Sequence, residues 1–336
     1  MIVPSREALF RLAAGGCLRA GFTDGLRLIA ARSRRRPAFS IFTYHRVNDL
    51  GDEFQPAMPT HVFERQIRYV AAHYTVLAVE DVVDRMSSGR IPRDAVAITF
   101  DDGYRDNLTH AAPILARFRV PATVFLATGF IGTGEVPWYD RLAIALKRTT
   151  RRSVSSPSGE ELPLTSVTAR VAALGRLQTD FKTLPEAQFQ TSLASVLEGL
   201  GVSAEPSRKD LMLSWDDVLA LHGLGFRIGA HTVTHPILSR VSVERAREEI
   251  LESRRAIEAA VGLAPKAFAY PNGGQADYTP AVVDLVRAAG FTCAVTTRFG
   301  VNTNATSPWE LRRGQPWEDD LPRFALKLAW YGITLR

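Results

Sequence analysis

Short apolar runs recur along this chain and alternate with stretches whose apolar positions fall three and four residues apart. That alternation is the signature of βα units and a parallel sheet. The runs predict strands at 38–44, 96–100, 123–127, 226–230, 267–270 and 293–296. The periodic stretches predict helices over 61–73, 78–87, 107–118, 215–224, 242–260 and 278–289. The helix over 242–260 carries the fullest set of signals: Ser242 as N-cap, Ile250, Ile257 and Val261 toward the core, and Gly262 as the stop.

One segment breaks the alternation. From about 137 to 212 the strand signal disappears; a Ser/Pro/Gly loop at 153–159 precedes helical periodicity in Leu174, Leu177, Phe181, Phe189, Leu193 and Leu197. It reads as a helical insertion between two barrel units, either walling a cleft or serving as a structural cap. With 336 residues, 46% of them apolar, the chain can bury a full core as one α/β barrel or two smaller domains, which excludes disorder as its main state. Cys17 and Cys293 make no disulfide framework and lack neighbours at metal-ligand spacing.

The formal charge of +6 resides in the first 36 residues, where eight arginines face only Glu7 and Asp24. The rest of the chain balances, so no nucleic-acid partner is expected. Residues 1–36 read as a basic arm of two amphipathic pieces, roughly 5–14 and 24–35. Such pieces suit an anionic membrane surface, a helical arm packed on the domain, or an organelle presequence. The stretch 317–336 reads as an amphipathic helix with Trp330 and Tyr331 beside basic residues, a composition that suits a membrane interface. No run is long and apolar enough to predict a spanning helix. The expected location is cytoplasmic, peripheral on the inner membrane.

Candidate chemistry gathers at the ends of predicted strands. Strand 96–100 runs into Asp101-Asp102-Gly103, a carboxylate pair that must meet solvent, a metal or a substrate, because a buried unpaired carboxylate is costly. Strand 226–230 runs into His231-Thr232-Val233-Thr234-His235-Pro236. Two imidazoles four residues apart lie on one side of a helical turn, and with Asp102 they supply two nitrogens and one oxygen to a cation. Both segments sit at carboxyl ends of parallel strands, where α/β barrels place their active sites.

Three ordered motifs carry a resemblance: TFDDGY at 99–104, HTVTHP at 231–236 and FAYPNGG at 268–274. Together they resemble the polysaccharide deacetylase family, the NodB-homology group or carbohydrate esterase family four, over about residues 39–315. The resemblance implies an α/β fold, a distorted (β/α) barrel of the deacetylase type at 37–316 with the insertion inside it. It also implies a metal-dependent hydrolase that removes N-acetyl groups from an amino sugar; the amphipathic stretches at the two ends of the chain make a polysaccharide or a lipid-linked glycan the expected substrate. Asp102, His231 and His235 would hold the metal, zinc first, with cobalt, nickel, manganese or iron also suited to the donor set. Asp101 would be the general base, and the backbone N–H of Tyr104 would join the oxyanion hole. Pro271, Asn272 and Gly273 would shape the cleft rim.

Two departures stand out. The arginine that orients the base in better-known members falls here on Ala269, and no histidine follows His235 to act as the late acid. Phe42-Thr43-Tyr44-His45-Arg46-Val47 ends the first predicted strand in a histidine instead. That arrangement resembles the subgroup of biofilm poly-N-acetylglucosamine deacetylases with an upstream catalytic histidine, which makes His45 the expected general acid. Arg298, Arg312 and Arg313 are candidates for orienting Asp101 or for binding an anionic group of the substrate, with Arg313 foremost. Trp138, Trp215 and Trp309 could each stack on a sugar or belong to the core. Two further function classes remain open: a deformylase or other amidase on the same metal site, and a non-catalytic carbohydrate-binding protein.

Overall fold

The computed structural model describes residues 38–92, 94–202, 210–315 and 317–334. The basic arm expected at 1–36 lies outside them. In chain order the elements are β1 (Ala38–Tyr44), α1 (Thr60–His73), β2 (Thr75–Val76), α2 (Val79–Ser87) and β3 (Ala95–Phe100), then a π-helical turn running into α3 (Ala112–Phe118), and β4 (Thr123–Leu126). The inserted segment contributes α4 (Trp138–Arg148), β5 (Ser153–Ser155), β6 (Glu161–Pro163), α5 (Val167–Thr183) and α6 (Glu186–Gly199). The chain then returns through α7 (Trp215–Gly223), β7 (Arg227–Ala230), α8 (Val243–Val261), β8 (Ala267–Ala269), α9 (Pro280–Ala288), β9 (Cys293–Val295), β10 (Asn302–Thr303) and α10 (Leu321–Thr334).

One curled sheet runs in the order β10-β1-β3-β4-β7-β8-β9, with β2 also pairing β3; the pairs are parallel except β1 with β10. Strand parity sorts the side chains. Phe39, Ile41, Ala95, Ala97, Phe125, Ala267, Cys293 and Val295 form the inner cluster, closed by Val79, Val82 and Met86 of α2. The alternate residues Val96, Ile98, Phe100, Val124, Ile228 and Phe268 pack outward under the surrounding helices. The inward parity of β1 continues through Thr43 to His45, and that of β3 through Thr99 to Asp101. The alternation that builds the core therefore also aims the chemistry.

The seam between β9 and β1 is bridged by an irregular segment. Leu311 bonds to β9 through Leu311 N–H to Ala294 O (2.9 Å) and Thr296 N–H to Leu311 O (2.8 Å). Gly314 bonds to β1 through Gly314 N–H to Ile41 O (2.8 Å) and Thr43 N–H to Gly314 O (3.0 Å). Asn302 of β10 clamps Arg312 from the side by accepting from its N–H and donating to its carbonyl, both at 2.8 Å.

The inserted segment has its own core of Leu142, Leu146, Val154, Leu162, Leu174, Leu177, Phe181 and Leu193. The loop expected at 153–159 is a correction: it is half of an antiparallel hairpin, Ser153 opposite Pro163 and Ser155 opposite Glu161. Each strand offers one inward apolar residue, Val154 or Leu162, too little to register as alternation. Around the main domain, Ser242 accepts from Arg245 N–H and Gly262 ends α8 at φ 77°.

Helix α10 buries Phe324, Ala325, Leu328 and Ala329 against the barrel, with the Phe324 ring 6.3 Å from both Phe42 and Tyr69. This part of its amphipathic pattern is therefore spent on packing. Replacing Phe324 by alanine is expected to lower unfolding free energy by about 3–5 kcal/mol in urea titrations. A loss under about 1 kcal/mol would mean that α10 is not part of the folded core.

Candidate active site

Asp101 and Asp102 would point to opposite faces of a continuing strand. The chain avoids this by leaving β3 at Asp102, which adopts φ 74°, followed by Gly103 at φ 85°. A β-carbon on Gly103 would lie 2.9 Å from Ile131 and 3.0 Å from Leu126, so no other residue fits that turn without movement. Both carboxylates thereby enter one cleft, and both are buried.

Asp101 meets Arg313. The guanidinium donates from Nη1 to Oδ1 and from Nη2 to Oδ2, both at 2.7 Å, in a fork-on-carboxylate pair. Nε donates to Thr296 O (2.9 Å), and the second N–H of Nη1 is shared between Thr43 Oγ1 (3.1 Å) and Thr99 Oγ1 (3.2 Å). Arg313 is 1% exposed and sits on the seam segment behind Asp101, away from the cleft lining, so the side chain orients the carboxylate rather than lining a substrate pocket. Burial alone would raise Asp101, but the guanidinium outweighs it and holds the carboxyl far below the usual range.

His231 and His235 converge by a different route from the expected helical turn. The intervening loop is irregular, with Thr232 at φ 67° and His235 at φ 58°, and it brings the rings to 4.7 Å between centroids. Among the described residues, four of the five non-glycine positive-φ positions (Asp102, Thr232, His235 and Asn272) lie in the three motifs, the clustering of strain expected at a functional site. The strained loop is held from behind by Glu249 of α8. Its fully buried carboxylate accepts from Val233 N–H (2.7 Å), Thr234 N–H (2.9 Å), Thr234 Oγ1 (2.5 Å) and Arg245 (2.6 Å).

The donor set fits a divalent cation. Asp102 Oδ1 lies 3.6 Å from His231 Nε2 and 3.5 Å from His235 Nε2, and the three donors fall within 4.8 Å of one another. Asp102 Oδ1 is buried without a hydrogen-bond partner, a costly arrangement that a cation relieves. His231 Nδ1 lies 2.7 Å from the Ala269 carbonyl, which can only accept, so Nδ1 carries the proton and Nε2 presents its lone pair. Burial lowers both imidazoles to about 4, leaving them neutral and ready to ligate at pH 7.

The cleft, about 600 Å³, brings His45, Asp101, Asp102, Tyr104, His231 and His235 together with Asn272. His45 is steadied by its carbonyl, which accepts from Asn107 Nδ2 at 2.8 Å, and by the neighbouring buried pair Arg46–Asp106 at 2.9 Å. The flanking ladder bonds, Arg105 N–H to Leu211 O and Leu213 N–H to Gly103 O (both 2.9 Å), leave the Tyr104 N–H out of the ladder. Pro271 and Gly273 stand behind the rim: Gly273, at φ 67°, accepts from Thr297 N–H at 2.9 Å.

Several cleft residues carried no sequence signal. Helix α5 contributes Val171, Leu174, Gln178 and Lys182, while Gln55 and Trp317 come from loops. Asp140 at the start of α4 accepts from Tyr104 Oη (2.8 Å) and Gln55 (2.5 Å); burial lifts it to about 6 despite those bonds. Helical spacing from Val171 to Lys182 was the one available clue. Of the tryptophans weighed, Trp138 lines the cleft, whereas Trp215 and Trp309 pack at the main core.

A curled parallel sheet whose strand ends hold an oriented carboxylate beside a two-histidine, one-carboxylate donor set defines an α/β barrel with a candidate metal site. The chain belongs to the polysaccharide deacetylase family, whose sequence model matches residues 88–294. It is similar to the poly-β-1,6-N-acetyl-D-glucosamine N-deacetylase of Staphylococcus aureus, 34% identical over 71 residues, covering 21% of this chain and 24% of that protein. The Staphylococcus epidermidis enzyme of the same name is 33% identical over 72 residues, covering 21% and 25%. The matched segment thus spans about a quarter of these curated relatives. Among solved structures, the Streptococcus pyogenes deacetylase PplD shares the fold at a TM-score of 0.59 and 18% identity over 88% of this chain and 99% of its own. IcaB from Ammonifex degensii does so at 0.59 and 18%, over 88% and 97%.

Arg313→Ala leaves a buried carboxylate unpaired and is expected to cost about 3–5 kcal/mol of stability in denaturant titrations. A loss within about 0.5 kcal/mol would contradict the buried pair. The imidazoles predict a second effect. Unfolded histidine titrates near 6.5 and the native pair near 4, so the unfolded state binds more protons between these values. Stability of the metal-free protein should therefore be full above about pH 6.5 and fall as the pH drops toward about 4. The Asp101 contribution is kept across this window, which lies above the titration of the unfolded carboxyl near 3.8, and is lost only as the pH falls further. Asp140, raised to about 6, gains its proton on folding below that pH and offsets part of the fall; a flat urea midpoint from pH 7 to pH 6, above most of that titration, would contradict the burial of neutral imidazoles.

Proposed function

We propose that this chain is a metal-dependent N-deacetylase acting on an N-acetylated amino sugar of a glycan. The observation that carries the reading is the juxtaposition of the Arg313-held Asp101 with the donor set Asp102, His231 and His235 in one polar cleft. A bound divalent cation lowers the pKa of water and polarises an amide carbonyl, which is the chemistry a stable amide needs.

The chain's own residues divide the remaining work. Asp101 takes a proton from the water that attacks the acetyl carbonyl carbon. Arg313 keeps Asp101 ionised and aimed, at the expense of basicity, so the transfer suits a water whose own pKa has been lowered. The Tyr104 N–H donates to the oxygen on which negative charge develops. His45, which follows β1 beside the strand that delivers Asp101, gives a proton to the nitrogen as the C–N bond breaks, releasing acetate and a free amine. Asn272 and the α5 side chains line the space available to the sugar.

A cytoplasmic, peripheral membrane position is supported by the sequence of residues 1–36 alone, since the described apolar face of α10 is used against the barrel. Among the described residues no helix is long and apolar enough to cross a membrane.

Metal analysis of purified protein, followed by acetate release from N-acetylglucosamine oligosaccharides, tests the reading. Stoichiometric metal and chelator-sensitive release are expected. Asp101→Asn should abolish turnover, and His45→Ala should lower it by about 10²–10⁴-fold with the metal retained. Full turnover by His45→Ala would remove the histidine from the mechanism, and absence of both metal and release would sink the hydrolase. Formate release in preference to acetate would point to a deformylase.

A further inference from the structure

A second cavity opens on the far side of His235. It measures about 110 Å³ and lies between the inserted segment and the chain following the histidine loop. Its walls are mostly apolar, with Trp138, Phe181, Leu184 and Phe189 from the inserted segment and Ile237 and Val241 from the chain after the histidines, beside the polar Gln190 and Thr234. The aromatic wall is a built surface, with Trp138, Phe181 and Phe189 packed at 5.4–5.6 Å between ring centroids. Trp138, Lys182 and His235 line both this groove and the catalytic cleft, so the two spaces adjoin at the candidate metal site.

The groove's polar rim is unbalanced. Lys182 and Arg240 stand at its mouth, and among the described residues neither side chain has an ion-pair partner; Glu186 is the one acidic residue in the lining. Apolar walls with unpaired cations at the mouth suit an alkyl chain that begins in an anion. The geometry of an amino sugar supplies a way to present one. In a 2-acetamido sugar the anomeric oxygen is three bonds from the amide nitrogen, so a substituent on C1 starts beside the scissile bond. A groove that opens at His235 is therefore placed to receive it.

We infer that this groove is a subsite for a hydrophobic chain joined to the sugar through a phosphodiester, which makes a lipid-linked N-acetylated sugar the substrate class. The inference rests on the deacetylase reading and deepens it. The chain's first carbons lie against Ile237 and the aromatic wall, while Lys182 and Arg240 face the phosphate. Helix α5 thus serves two spaces at once, with Gln178 toward the sugar and Lys182 at the junction.

The test compares four substrates with the metal-loaded enzyme: an N-acetylglucosamine oligosaccharide, N-acetylglucosamine 1-phosphate, its octyl phosphodiester and the neutral octyl glycoside, each below its micelle concentration. The octyl phosphodiester is expected to exceed the 1-phosphate at least tenfold in kcat/KM. Ile237→Trp, which fills the groove, should abolish that advantage while leaving oligosaccharide turnover within twofold. Arg240→Ala should reduce turnover of the phosphodiester and spare the neutral glycoside. Equal kcat/KM with and without the chain, or an advantage that survives Ile237→Trp, overturns the inference while oligosaccharide turnover keeps the deacetylase reading intact. Binding is read separately in the metal-free protein, by displacement of a fluorescent alkyl probe. Octyl phosphate should displace it and octanol should do so at least tenfold less well; no displacement, or equal displacement, also overturns the subsite.

Discussion

The structure turns on one buried ion pair. Asp101 and Arg313 are 212 positions apart and meet inside the protein with no solvent to share the cost. A buried pair of this kind persists only when its geometry is good and its remaining donors are satisfied. Here the fork matches the carboxylate, a main-chain carbonyl takes the Nε proton, and two threonines share the second N–H of Nη1. Those partners come from β1, β3 and the end of β9, so the pair also ties the barrel seam together. Orientation of the carboxylate and closure of the sheet are one interaction seen from two sides.

This constraint explains the departure at Ala269. A guanidinium delivered from the third motif is replaced by one delivered from the seam, and the small Ala269 side chain stays in the inner apolar cluster. The carbonyl of the same residue fixes the His231 tautomer. A position that lost one role toward the base thus keeps another toward the donor set, through its backbone.

Much of this was legible in the sequence. Strand parity set the inward path through Thr43 to His45 and through Thr99 to Asp101, and the helix signals at Ser242 and Gly262 came out as caps. The five candidate ligands and acid-base groups lie in one cleft because each follows a parallel strand. What stayed hidden depends on contacts distant along the chain or on strained turns. The sequence ranks Arg313 first among the arginines, but only the seam shows that it reaches Asp101 rather than the substrate space. The histidine spacing suggested a helical turn, whereas two left-handed residues held by the distant Glu249 do the work. The hairpin at β5 and β6 escaped because two apolar residues make no pattern. The insertion was visible as an interruption, but not which face of α5 meets the cleft.

The most direct test of this account is the pH dependence of acetate release for wild type and Arg313→Met. If Arg313 is what keeps Asp101 ionised, removing its charge lets burial raise the carboxyl, and the acid limb of the kcat profile should move at least two pH units toward neutrality with the metal still bound. An Arg313→Met enzyme with full activity and an unmoved acid limb would contradict it.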